Sequence, residues 1–151
     1  MRYYAKIYTL ETGKNFKHFS IRDIKVSDVD YEAGNPYNTF FNVKVQSECF
    51  AGVARFECNI KDFILFINEI KNLYDFKQNK VSLSDICYGS NIQFEMNRIG
   101  HITISGTLYG NAMIHSMTFE FLTDQTAIKP FLDGLYNDFI IPTKQKPGAP
   151  S

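Results

Sequence analysis

Between positions 59 and 75 the chain has the spacing of a helix, and segments of strict alternation close on it from both sides. Phe63, Ile64, Ile67, Ile70, Leu73 and Tyr74 recur at three- and four-residue intervals, a stripe that only a helix gathers onto one face. Leu65 and Phe66 widen the stripe, so this helix is expected to be well buried. Asn59 supplies the N-cap, and Asp62 brings a negative charge to the positive end of the helix dipole.

Two strands lead into it. Phe41, Val43 and Val45 alternate with Asn42, Lys44 and Gln46. Phe50, Gly52, Ala54, Phe56 and Cys58 alternate with Ala51, Val53, Arg55 and Glu57. Gly52 and Ala54 are small, which predicts close approach of a helix to the sheet. Further upstream, residues 3–10 read as a first strand, 11–18 as a polar turn and 19–29 as a second strand. The alternation slips phase at Arg22-Asp23, the mark of a bulge. Residues 30–38, with Gly34-Asn35-Pro36, read as a loop.

A second run of strands follows the helix. Val81, Leu83 and Ile86 begin it, and Ile92, Phe94 and Met96 alternate with Gln93, Glu95 and Asn97. Asn97-Arg98-Ile99-Gly100 is a hairpin connection, with Gly100 supplying a positive φ. Ile102, Ile104, Gly106 and Leu108 then face the core while His101, Thr103, Ser105 and Thr107 face out. Gly110-Asn111 turns the chain into residues 113–122, where Phe119 and Phe121 oppose Thr118 and Glu120. A last apolar stripe, Ile128, Phe131, Leu132, Leu135, Tyr136 and Phe139, predicts a second helix. Pro130 requires that helix to begin only a few residues earlier, with Asp124-Gln125-Thr126 as its capping turn.

The order strands, helix, strands, helix, with short connections between strands, defines an α+β domain. The expectation is a largely antiparallel sheet of about seven or eight strands with both helices on one face and the other face wet. One domain spans residues 1–142, and residues 143–151, polar and rich in Pro and Gly, form a flexible tail. Fourteen Phe and nine Tyr can fill such a core without metal or disulfides.

The formal net charge is zero, far from the strongly basic balance of a nucleic-acid-binding domain. No stretch approaches the roughly 18 apolar residues of a membrane span, and the N-terminus lacks a signal-peptide run, so the expected location is the cytoplasm. Cys49, Cys58 and Cys87 are odd in number and match no zinc spacing, which fits buried free thiols in a reducing compartment. His18, His101 and His115 lie on different elements and build no metal triad. Phosphate-binding glycine loops, zinc-protease helices and nucleophile elbows are all missing from the sequence. No catalytic residue, metal site or cofactor is therefore assigned.

Glu57, Glu95 and Glu120 fall on strands, opposite the aliphatic face. Were their strands neighbours, the carboxylates would gather as a docking patch or an acid/base pair; otherwise they line a solvated face balanced by Arg55 and Lys44. The outward positions Arg55, Glu57, Glu95, Thr103, Ser105 and Glu120 are the candidate partner-binding residues. Two other readings stand beside a protein-binding module. One is a small-molecule site between sheet and helices, which requires a pocket of roughly 300 Å³. The other is a carboxylate-dependent hydrolase.

From Phe50 to Leu135 the sequence resembles small bacterial immunity proteins of the WapI-like group. The resemblance is carried by Phe50-Ala51-Gly52, by the Asp62-Phe63-x-x-Phe66 helix and by the Gly100-His101-Ile102-Thr103-Ile104-Ser105-Gly106 strand. Phe119-Glu120-Phe121-x-x-Asp124-Gln125-Thr126, leading into the last helix, completes it. It implies a protein that inhibits a cognate toxin, often a nuclease, by binding it and that performs no catalysis itself.

Overall fold

The computed structural model describes residues 1–12, 17–110 and 114–142. Among them nine strands form two antiparallel sheets, and the α+β class and antiparallel pairing expected from the alternation hold. The strands do not make one sheet, however. Sheet A contains β1 (Arg2–Tyr4), β2 (Tyr8–Thr12), β3 (Lys17–Val26), β4 (Thr39–Ser47) and β5 (Phe50–Cys58). Its order is β1-β3-β4-β5, with β2 also paired to β3. Sheet B is the meander β6 (Lys80–Ser84), β7 (Asn91–Met96), β8 (Ile102–Tyr109) and β9 (Ser116–Thr123).

Three helices join them. α1 (Asp28–Glu32) is short and buries nothing; Ser27 caps it by accepting the Asp30 N–H. α2 (Ile60–Tyr74) follows β5, and α3 (Gln125–Leu135) closes the chain, widening into a π-helical turn over Tyr136–Ile140. The expected stripe of α2 is the buried one, at Phe63, Phe66, Ile67, Ile70 and Leu73. Leu65 is an exception at 54% exposed, because one helix face cannot extend so far round. Asn59 caps α2 through its side-chain oxygen and the Lys61 N–H, 3.0 Å apart. Asp124 caps α3 through the Ala127 N–H at 2.9 Å. Pro130 sits inside α3, within its first two turns.

The bulge expected in the second strand is present. The β3–β4 register shifts between Arg22 and Lys25, and Asp23 takes φ 57°. Segment 3–10 proves to be two strands, β1 and β2, which pair with different stretches of β3 on either side of that bulge. Gly100 has φ 83°, and Asn97 Oδ1 accepts from the Ile99 and His101 N–H groups, so the β7–β8 connection forms as the sequence indicates. The turn at Gly110-Asn111 and the tail 143–151 lie partly or wholly outside the described residues.

One buried cluster serves both sheets and both long helices. Phe19 of sheet A meets Phe94 of sheet B edge-on at 5.8 Å, and Phe131 of α3 touches both. Phe63 of α2 bridges Phe41 and Phe139. The sheets therefore turn their apolar faces toward a shared interior rather than extending one surface. Gly52 illustrates the consequence: the space beside it is taken by Met117 of β9, not by a helix.

A buried carboxylate fastens the two sheets. Asp85, 3% exposed, accepts the N–H groups of Glu57, Cys87 and Tyr88 at 2.8, 3.2 and 2.7 Å. The Ile86 N–H then donates to the Glu57 carbonyl at 3.1 Å, so the end of β5 is tied to the loop that follows β6.

Candidate functional site

Each sheet turns its second face away from the core, and the candidate residues divide between those faces. On sheet B the register aligns Lys80, Glu95, Thr103 and Leu122 in one row, and Ser82, Gln93, Ser105 and Glu120 in the next. Glu95 and Glu120 are exposed, while the central-strand residues Thr103 and Ser105 are half-buried by their neighbours. Arg55 and Glu57 lie instead on β5 of sheet A, paired with each other at 3.5 Å. Among the described residues no hydrogen bond or ion pair connects the two groups.

The three carboxylates therefore do not gather. Glu57 is on another sheet. Glu95 and Glu120 are two strands and one row apart, about 12 Å between Cα atoms from ordinary sheet spacing. Arg55 balances Glu57 as expected, while Lys44 stands opposite Val53, four residues before Glu57 on β5. Lys80 opposite Glu95 and Leu122 opposite Thr103 were not singled out from the sequence. The alternation that turns Phe119 and Phe121 inward also turns Leu122 outward, where it is 64% exposed.

The outward face of sheet A carries a different chemistry. The Arg55 guanidinium lies over the Phe40 ring at 5.2 Å, and the Lys25 ammonium over the Tyr3 ring at 5.5 Å. A surface concavity of about 520 Å³ is lined by these residues together with Asp23, Asp30 and Asn42. A second, of about 410 Å³, lies between the end of α2 and the β7–β8 turn. Neither sits between sheet and helices, where the small-molecule reading required one, because aromatic rings occupy that space.

The histidines are on separate elements, and among the described residues no group of three or more His, Cys, Asp or Glu side chains could hold a metal ion. The cysteines differ from the expectation that all three are buried. Cys58 is, but Cys49 in the β4–β5 turn and Cys87 in the loop after β6 are exposed. Burial, reinforced by Asp62 and Asp85, pushes the Cys58 thiol up to about 12. Desolvation and the neighbouring Glu57 and Asp85 carboxylates raise Cys87 as well.

Iodoacetamide at pH 8 should accordingly modify two thiols per native chain and three after denaturation, read by intact mass. The raised Cys58 value favours the neutral thiol in the folded state. Its contribution to stability is complete below the unfolded thiol's pKa and is lost as pH rises through about 12.

Two antiparallel sheets around one buried cluster, with two long helices packed into it, define an α+β domain. The immunity protein WapI-like family matches residues 12–139, most of the chain. The chain belongs to that family. No curated protein matches the sequence. A solved chain from the trypanosoma bruciei MRP1/MRP2 crystal structures is similar at 9% identity and a TM-score of 0.49, over 89% of this chain and 81% of that one.

Proposed function

We propose that this protein binds and neutralises a cognate toxin in the cytoplasm, without catalysis of its own, and that the toxin docks on the outward face of sheet B. Family membership is the observation that carries the reading. The face suits the task physically. Its two central strands present Gln93, Glu95, Thr103 and Ser105, of which the threonine and serine are short and lose little rotamer freedom on ordering. Leu122 offers an apolar contact among them, and Glu95, Glu120 and Lys80 supply charges for register and on-rate. Of the six candidate residues, Glu95, Thr103, Ser105 and Glu120 belong to this face; Arg55 and Glu57 lie outside it.

Co-expression with the toxin domain encoded beside it should give one eluting complex and cells that survive. If the toxin is a nuclease, its degradation of nucleic acid should stop in the same complex. Thr103→Arg combined with Glu120→Arg should weaken that complex at least tenfold, since two bulky cations replace a short polar side chain and an anion on the face. Arg55→Glu combined with Glu57→Arg should leave it unchanged. Protection that survives the sheet B reversal removes the assignment of the face. Absence of any complex, with toxicity undiminished, removes the immunity reading itself.

A further inference from the structure

The edge of sheet A formed by β5 is open along part of its length, and the parity of its backbone groups can be read from two hydrogen bonds. The Glu57 N–H donates to Asp85 and its carbonyl accepts from Ile86, so both groups point away from β4. Residues two, four and six positions earlier share that orientation in an antiparallel strand. The N–H and carbonyl groups of Arg55, Val53 and Ala51 therefore face outward too. The turn at the other end agrees, for a two-residue connection makes Ser47 and Phe50 a hydrogen-bonded pair of the opposite parity. Among the described residues no hydrogen bond reaches these six outward groups, and β5 is the last strand of its sheet.

Open edges are usually blunted by Pro, Lys or a bulge. Residues 51–55 contain none of these, and Arg55 is their one charge. Val53 is 57% exposed, and Phe50, just before the stretch, is 70% exposed. The free stretch ends at the Glu48–Cys49 turn on one side and at the Asp85–Ile86 clamp on the other. Its midpoint is Val53, whose own backbone groups point outward.

We propose that this edge pairs with the same edge of a second copy of the chain, antiparallel and about a two-fold axis through Val53. Val53 then meets the second copy's Val53, and Ala51 meets its Arg55. All six outward groups of each copy find partners in that register. No like charges stand opposite one another, and the two Arg55 side chains lie about 13 Å apart along the strand direction. On the inner side Gly52 faces the second copy's Ala54, so the side chains that meet there are small. Phe50 gains cover from the added strand. A foreign strand would need a sequence matched to this edge; the second copy already has one, and a symmetric pair closes on itself without forming a fibre.

The test is solution mass by light scattering across a concentration series, with reductant present so that Cys49 and Cys87 form no disulfide. The wild type should reach about twice the 17.4 kDa chain mass. Val53→Lys and Val53→Glu each put like charges together on the axis, and each should stay at single-chain mass. Mixed in equal amounts, the two variants should regain the doubled mass, which also shows that both are folded. A wild type that remains a single chain up to about 1 mM overturns the proposal. So does a doubled mass that Val53→Lys leaves intact. A single-chain wild type whose toxin protection is lost in Val53→Glu would assign the edge to a strand of the toxin and overturn it as well.

Discussion

Replacing Gly106 with alanine should destabilise the fold by about 3 kcal/mol, toward the upper end for inserting a methyl group into a packed site. Gly106 sits in the middle of β8, between Ile92 of β7 and Phe119 of β9. A Cβ built there would lie 2.1 Å from the Asn91 carbonyl oxygen and 3.1 Å from the Ile92 Cα. Both obstacles are backbone, so no side chain can swing aside; β7 and β8 must part. Their separation would strain the central pairing of sheet B and the packing of Phe94 beneath it. Thermal unfolding should show a midpoint roughly 10 °C lower, taking about 2–4 °C per kcal/mol for a chain of this size. Gly52→Ala is the useful comparison. Its Cβ would meet the Met117 sulfur at 2.7 Å, the far end of a flexible side chain that can rotate away. A Gly106→Ala protein as stable as the Gly52→Ala protein would show that β8 does not need the close approach.

The contrast between these glycines marks where sequence reasoning reached and where it stopped. Alternation placed both among inward positions, and both are inward. It could not say what lies across from them, because the partner of Gly52 is on the other sheet and that of Gly106 is a main-chain atom. The same boundary recurs at the level of architecture. Periodicity located β4, β5, β7 and β8 and the stripe of α2, and the phase slip located the bulge at Asp23. Whether the two strand runs pair edge to edge depends on contacts more than twenty residues apart in the chain, and period-two patterns are identical for one sheet or two. The short helix α1 falls across the expected strand end and loop, since it buries nothing and leaves no stripe. For the candidate site, alternation gave the outward set correctly but could not partition it. Arg55 and Glu57 share the pattern of Glu95 and Glu120 while standing on a different sheet. Leu122 is legible as an outward position from the phase of Phe119 and Phe121.

Asp85→Ala should have a still larger effect, about 4 kcal/mol, measured as a lower urea midpoint with an unchanged denaturant slope. The sequence shows an ordinary Asp in a loop; the fold makes it an acceptor for three main-chain donors with almost no access to water. Removing it takes this acceptor from the part-buried N–H groups of Glu57, Cys87 and Tyr88, at about 1–3 kcal/mol for each that water cannot satisfy fully. Asp85→Asn separates geometry from charge. Its amide oxygen can take the place of Oδ1 and keep the bonds from Glu57 and Cys87, while the amide nitrogen opposes the Tyr88 N–H. That variant should lose roughly half as much. Equal losses for Ala and Asn would mean that the negative charge, rather than the pattern of acceptors, holds the loop. The position of the effect matters as much as its size. Asp85 is the clamp that ends the open part of the β5 edge, so its loss should raise hydrogen exchange first at Glu57, Cys87 and Tyr88. Exchange spreading evenly through both sheets instead would mean that the clamp and the core unfold as one unit.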